Sequence, residues 1–290
     1  MTKEPKDDMH LGQYIPIHYH FNMLTDISRM QGFKDALEKK VPLGGKVLEL
    51  GGGTGVLSFF AASRASKVWC VERNPELVCA ARFFQNLNPQ SSKVEIIAGD
   101  AMEYLPPEPV DVVVCEMLHS ALLREKQIQI IRSFKERYQK KFAGLPVFIP
   151  EATLLGVQAL QQSYQFFGYY APVPLFHHPM VEYQRTLALA EPTVYQIVDY
   201  SQDFASQYTC NSEITIQTTG ILNALRFITK NVLAILVSEN RAVEWFNQHF
   251  IAPLAHPIDV KEGDKIRIQF SYEAGEQLNA LTDSMEVTRL

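Results

Sequence analysis

Lys46-Val47-Leu48-Glu49-Leu50-Gly51-Gly52-Gly53-Thr54-Gly55-Val56 is the stretch that decides the fold of this chain. A short apolar run opens after Gly44-Gly45, ends on an acidic residue and spills into a glycine turn, and Val56 to Ser63 then continues at helical spacing. Glycines at a strand-to-helix turn let the backbone fold sharply and approach a ligand that a Cβ would keep away. The same alternation repeats downstream. Lys67 to Glu72 reads as a second strand and Pro75 opens a helix to about Leu87. Val94 to Ala98 and the continuous apolar run Val110 to Cys115 read as two more strands, and Ile128, Ile131, Phe134 and Tyr138 mark another amphipathic helix. Strands alternating with helices predict a doubly wound parallel sheet, a Rossmann-like α/β core.

The strand ends carry the chemistry. Glu49 precedes Gly51 and Gly53, Glu72 closes the second strand, and Gly99-Asp100-Ala101 follows the third. An acid at the second strand end can take both ribose hydroxyls of a nucleoside, and a carboxylate after the third can accept from an adenine amino group. A nicotinamide-type fingerprint asks for Gly or Ala where Val56 stands, and no Walker lysine follows the glycines. The loop thus offers no positive charge for a pyrophosphate. A nucleoside without phosphate fits, and S-adenosylmethionine is the common one.

Bulk properties set the bounds. The 290 residues are 47% hydrophobic, enough for one large domain or two modest ones with real cores, and the net charge of -5 advertises no basic nucleic-acid face. Cys70, Cys79, Cys115 and Cys210 form no C-x-x-C pair and read as free thiols in a reducing compartment. Met1 to Asp8 has no apolar signal-peptide core, and stretches such as Val232 to Val237 are too short to span a bilayer, so a cytoplasmic protein without membrane contact is expected.

Upstream of the glycine turn, Met23, Ile27, Met30, Phe33 and Leu37 predict a helix within Tyr14 to Leu37. Beyond Pro150 the pattern turns to strands: Leu154 to Leu160, Ile214 to Thr218, Leu222 to Ile228, Val232 to Val237 and Lys265 to Tyr272, an antiparallel sheet or barrel. The expected organisation is a tail and helical lid over 1–40, a cofactor-binding domain over 41–150 and a β-barrel substrate domain over 151–290. The aromatic, proline-rich stretch within 163–185 has no clear element.

Two segments make the chain resemble the protein arginine methyltransferase family. The first is Met23-Leu24-x-Asp26-x-x-Arg29, preceded by Tyr14 and His20, which is similar to the family's lid. The resemblance implies that Arg29 holds the cofactor carboxylate while Tyr14, His20 and Met23 border the cofactor and its reacting methyl. The second is Glu116 followed nine positions later by Glu125, the spacing of the family's paired glutamates. A guanidinium stays protonated at any working pH and is a poor nucleophile unless its charge is drawn away from the attacking nitrogen. Two carboxylates gripping its fork do that and aim one nitrogen at the sulfonium methyl. Glu116 and Glu125 are therefore the expected catalytic pair.

Departures from the family bear on the acceptor. The family follows its first glutamate with Trp, Met, Gly and Tyr, whereas here Met117, Leu118, His119 and Ser120 follow. The family's Thr-His-Trp loop corresponds most nearly to Glu244-Trp245-Phe246, without the histidine, which leaves Met117, His119 and Trp245 as expected lining of the acceptor pocket. The acceptor stands open between a guanidino group, of protein or of free arginine, and a non-guanidine metabolite with His18, His20 or His119 as base. A catalytically silent relative that acts as a binding protein is the third reading. No metal site is expected from the histidines, and the resemblance implies a possible homodimer through an arm within 163–185.

Overall fold

The computed structural model describes residues 15–290; Tyr14 lies outside them. The chain enters through α1 (His20–Thr25) and α2 (Ile27–Lys40). The single helix expected here is broken because Asp26 leaves helical backbone, at φ −71° and ψ 94°, and its side chain accepts from the Arg29 N–H at 2.9 Å. An aspartate that can satisfy an orphan N–H of the next turn makes a better cap than a helix interior.

β1 (Lys46–Leu50), α3 (Val56–Ala62), β2 (Lys67–Glu72), α4 (Pro75–Leu87), β3 (Val94–Ala98), β4 (Val112–Cys115), α5 (Gln127–Lys141) and β5 (Val147–Ile149) then build the parallel sheet, in the order β3-β2-β1-β4-β5. All four pairings are parallel. Strand order reverses between β1 and β4, so the crevice for a ligand opens beyond the carboxyl ends of these two strands. Glu49 to Gly53 and Cys115 to Glu116 stand on its two sides.

The second half is antiparallel. Its strands are β6 (Ala152–Gln162), β7 (Gln165–Phe166), β8 (Tyr169–Tyr170), β9 (Leu175–His177), β10 (Thr186–Ala188), β11 (Thr193–Asp199), β12 (Gln207–Thr215), β13 (Gly220–Leu236), β14 (Arg241–Phe246), β15 (His249–Val260), β16 (Lys265–Glu273) and β17 (Glu286–Arg289), with α6 (Leu278–Thr282) before the last. The stretch without a sequence assignment is a short hairpin, β7–β8, leading into β9. A seven-stranded sheet runs β10-β6-β13-β15-β9 with β11 and β14 alongside, and β12-β16-β17 form a second sheet. The antiparallel domain expected beyond Pro150 is thus present as these two sheets. One continuous apolar core runs from Phe33 and Leu48 through Ile131 and Phe134 to Leu225, Phe227 and Ile268.

Two strands expected at Leu222 to Ile228 and Val232 to Val237 are one long strand, β13. Between the two expected runs, Thr229 and Asn231 are fully buried. Their polar groups are spent inside: Thr229 Oγ1 accepts from the Ala121 N–H at 2.7 Å, and Asn231 accepts from Thr153 at 2.9 Å while donating to Asn247 at 2.8 Å. Asn247 in turn donates to the Leu118 carbonyl at 2.6 Å. A buried polar chain thus runs from the antiparallel sheet into the loop after β4. Replacing Asn231 with Leu should strand the partners of this chain and cost about 1–3 kcal/mol of unfolding free energy, measured by urea denaturation; a variant as stable as the parent would show the chain to be idle.

Candidate functional site

The glycine turn is shaped by what lies around it. Val71 carbonyl accepts from both the Gly51 and Gly52 N–H at 2.9 Å, which ties the turn to β2. Gly51 and Gly53 hold φ of +79° and +54°, left-handed backbone that side chains resist. A Cβ on Gly53 would stand 2.9 Å from the His20 ring, and one on Gly52 would meet Cys70 Sγ at 2.2 Å. Met117, from the loop after β4, lies over Gly51. The glycines therefore serve a backbone packed closely on both sides.

Glu72 is buried and bridges the turn to the next helix: one carboxylate oxygen accepts from the Gly53 N–H at 2.9 Å, the other from the Asn74 N–H at 2.8 Å. A carboxylate has about four acceptor sites, so two remain for hydroxyls of a ligand. Asp100 accepts from the Met102 N–H at 2.8 Å and lies 3.6 Å from Arg73, while the adjoining Ala101 is buried. Glu49 is turned partly into its own scaffold. It accepts from the Ser58 N–H at 2.9 Å and from the Ser58 hydroxyl, capping α3, and burial raises its pKa to about 7. His20 is buried with its Nε2 unpartnered, and burial lowers its pKa, so a neutral imidazole faces the turn.

Arg29 and Glu116 pair with each other. The family resemblance implies a cofactor carboxylate for the first and an acceptor for the second, and here Arg29 Nη2 donates to Glu116 Oε2 with both side chains nearly buried. The pairing is compatible with both assignments, because a guanidinium has five donors and a carboxylate a second oxygen. Glu125 stands differently. Its carboxyl has no hydrogen-bond partner among the described residues, and burial, reinforced by the Glu116 charge, raises its pKa to about 8. A cation arriving between the two acids would find one neutralised by Arg29 and one ready to ionise.

The loop from Glu116 to Glu125 is held in an uncommon shape. Ala121, Leu122 and Arg124 have φ of 57°, 55° and 63° without being glycine, a conformation that persists only where the surroundings impose it. They do so on every side. Gln127 is fully buried and accepts from the Met117 N–H at 2.9 Å while donating to the Cys115 carbonyl at 2.7 Å. Ser120 donates to the Gln248 carbonyl, Tyr272 to the Ala121 carbonyl at 2.9 Å, and the Arg124 N–H to the Glu276 carbonyl at 2.7 Å. Gln127, Thr229, Asn231 and Asn247 are the functional residues that sequence reasoning missed. Their signal was only a polar residue at an otherwise apolar position.

One cavity of about 1000 Å³ collects these groups, a size at the upper end for a ligand site. His20, Met23, Arg29, Glu49, Gly51, Gly53, Glu72, Asp100 and Ala101 line one part of it, and Glu116, Met117, His119, Glu125 and Trp245 line another. Trp245 is almost buried, packs on Phe33 at 6.0 Å and leaves its Nε1 unpartnered. His119 lies edge-on to Phe176, and burial lowers its pKa to about 4, so it stays neutral at physiological pH. No cluster of three or more metal-ligating side chains occurs among the described residues. None of the described helices is long and apolar enough to cross a membrane.

Comparison with known proteins points the same way. Residues 47–140 match a family model described as a methyltransferase domain. An uncharacterized protein of Methanocaldococcus jannaschii is 26% identical over 91% of this chain and 95% of its own length. Protein arginine N-methyltransferase 2 of Xenopus tropicalis is 32% identical over 47% of this chain, a match that spans 32% of that relative. Among solved structures, a Trypanosoma brucei PRMT1 enzyme–prozyme complex with AdoHcy superposes with a TM-score of 0.73, at 17% identity, over 95% of this chain and 98% of that one. The fold is shared with that structure. Gly53→Ala should weaken cofactor binding by about 10-fold or more, since the new Cβ combines a disfavoured φ with the His20 clash; calorimetric titration with S-adenosylhomocysteine measures it, and parental affinity would show that the turn does not carry the ligand.

Proposed function

We propose that this chain, a divergent class I methyltransferase similar to the protein arginine methyltransferases, methylates a nitrogen of a guanidino group, with Glu116 and Glu125 gripping the guanidinium. The observation that carries this reading is the Glu116–Glu125 pair at one cavity with the cofactor turn, one acid paired with Arg29 and the other held protonated by burial.

S-adenosylmethionine, when bound, supplies a sulfonium methyl whose carbon–sulfur bond breaks with its electron pair returning to sulfur. The chain's residues do the rest. Glu72, through its two remaining acceptor sites, and the Gly51–Gly53 backbone hold the nucleoside, Asp100 and Ala101 border the adenine, and Arg29 offers its free donors to the amino-acid carboxylate. His20 and Met23 close that side, as does Tyr14 in the reading from the sequence. Glu116 and Glu125 accept the fork of the guanidinium, localise its charge away from one nitrogen and leave that nitrogen's lone pair to form the new bond to carbon. The proton that this nitrogen sheds passes to Glu125 or to solvent. In this reading 41–150 is the cofactor unit and 151–290 the acceptor wall, with Met117, His119 and Trp245 shaping the pocket. The β7–β8 hairpin, with Phe167 fully exposed and Tyr169 largely so, serves as a dimerisation arm.

A non-guanidine metabolite is the second reading, and no residue favours it: His119 and His20, its possible bases, are both held neutral by burial, and neither ring hydrogen-bonds an acid among the described residues. Glu116→Gln or Glu125→Gln should each lower the turnover of a guanidino acceptor on the order of 100-fold, with cofactor binding retained for Glu125→Gln. Methyl-labelled S-adenosylmethionine and mass spectrometry of the products make the measurement; label transfer that ignores both substitutions would sink the reading.

The acid pair also dictates a pH profile. The acceptor cation binds the ionised form of Glu125, so below its pKa of about 8 a proton must leave before the acceptor can bind. The slope is therefore positive: kcat/KM should rise by roughly tenfold per pH unit up to pH 8 and level off above it. Glu125→Gln should flatten the rise, and a wild-type profile already flat from pH 6 would contradict the assignment.

A further inference from the structure

We infer that the acceptor carries its own carboxylate, recognised by Arg124, and is a small guanidino acid rather than an arginine within a protein chain. The inference rests on the guanidine reading above and specifies its substrate class. Arg124 precedes Glu125 directly and lines the same cavity as Glu116 and Glu125. Its left-handed backbone, φ 63°, is pinned by the bond from its N–H to the Glu276 carbonyl, so the loop clamp fixes where the side chain starts. That side chain forms no ion pair or hydrogen bond among the described residues, whereas Arg29, the other arginine brought to the acid pair, is already paired with Glu116.

An arginine turned to a cavity without an acid partner is a receptor for a carboxylate, which matches its planar fork. Lys126, two residues on, lines the cavity as well and adds a second cation. The sequence Arg124-Glu125-Lys126 thus alternates cation, acid and cation at one wall. A guanidinium taken by the acids leaves the far end of the acceptor facing the cations. A free guanidino acid presents a carboxylate there. An arginine inside a peptide presents two neutral amides, which offer nothing to balance Arg124. The proximity of Arg124 to the acids also has a use in the empty pocket: its field opposes the accumulation of like charge that burial of Glu116 and Glu125 entails.

The test compares five acceptors at matched concentration with methyl-labelled S-adenosylmethionine: free arginine, agmatine (the same guanidine without the carboxylate), argininamide, a peptide with an internal arginine and a peptide with a C-terminal arginine. The expected order puts free arginine above agmatine and argininamide by roughly 10- to 100-fold in kcat/KM, the range of one charge-assisted contact. Arg124→Gln should collapse that preference, lowering arginine relative to agmatine, and Arg124→Lys should restore part of it. Cofactor affinity of both variants, read by calorimetry, reports whether they fold. Methylation of the C-terminal but not the internal arginine of a peptide supports carboxylate recognition and shifts its source to a chain end. Internal arginine methylated as well as free arginine, or a preference that survives Arg124→Gln, overturns the inference while leaving the guanidine chemistry intact. Label on no guanidine at all, with cofactor bound, overturns the guanidine reading itself.

Discussion

The bond from Asn247 to the Leu118 carbonyl is where the two halves of the molecule become one site. Everything functional on the parallel-sheet side depends on the loop between Glu116 and Glu125, and that loop cannot hold its shape alone. Three non-glycine residues in left-handed backbone cost of order 1–3 kcal/mol each when nothing constrains them. The antiparallel half supplies the constraint through Thr229, Asn231, Asn247, Gln248 and Tyr272, and α5 supplies it through Gln127. The antiparallel half is therefore more than a wall: it determines where the two acids stand.

The charge arrangement follows from that clamp. Burying two carboxylates side by side is costly unless a cation accompanies them. The molecule meets the cost in two ways at once. Arg29, anchored at the capped start of α2, neutralises Glu116, and Glu125 keeps its proton. The cap at Asp26 that breaks the expected single helix is thus part of the site, since it sets the start of α2 and with it the position of Arg29. A single uninterrupted helix would carry Arg29 on a different path relative to β4.

How much was legible in the sequence follows from the same physics. The parallel sheet was readable because each of its strands is an apolar run ending at a turn, a pattern that needs no long-range information. Glu49, Glu72 and the glycines were readable because each stands at a strand end, a place the alternation of strands and helices marks by itself, although Glu72 binds the Gly53 N–H 19 residues away. Thr229 and Asn231 carried no readable role, since a polar pair in a strand normally marks a turn or an exposed face. Their partners, Ala121 and Asn247, lie 108 and 16 residues away, beyond the reach of any periodicity. The Arg29–Glu116 pair was invisible for the same reason, with 87 residues between its members. The antiparallel domain was legible in composition and strand direction, while the order of its strands depends on pairings that alternation cannot specify.

One consequence joins these observations. A loop that needs clamping from both sides gives the molecule a way to keep two buried acids apart from solvent without making them part of the core. Regular structure could not do this, because a helix or strand that presented both acids nine residues apart would direct them along its axis instead of at one point. The left-handed residues turn the chain back so that both ends of the loop border one cavity, with Arg124 carried along between them. The same irregularity that hides the site from pattern reading is what brings an acid pair, a cation and the cofactor turn within the compass of one ligand.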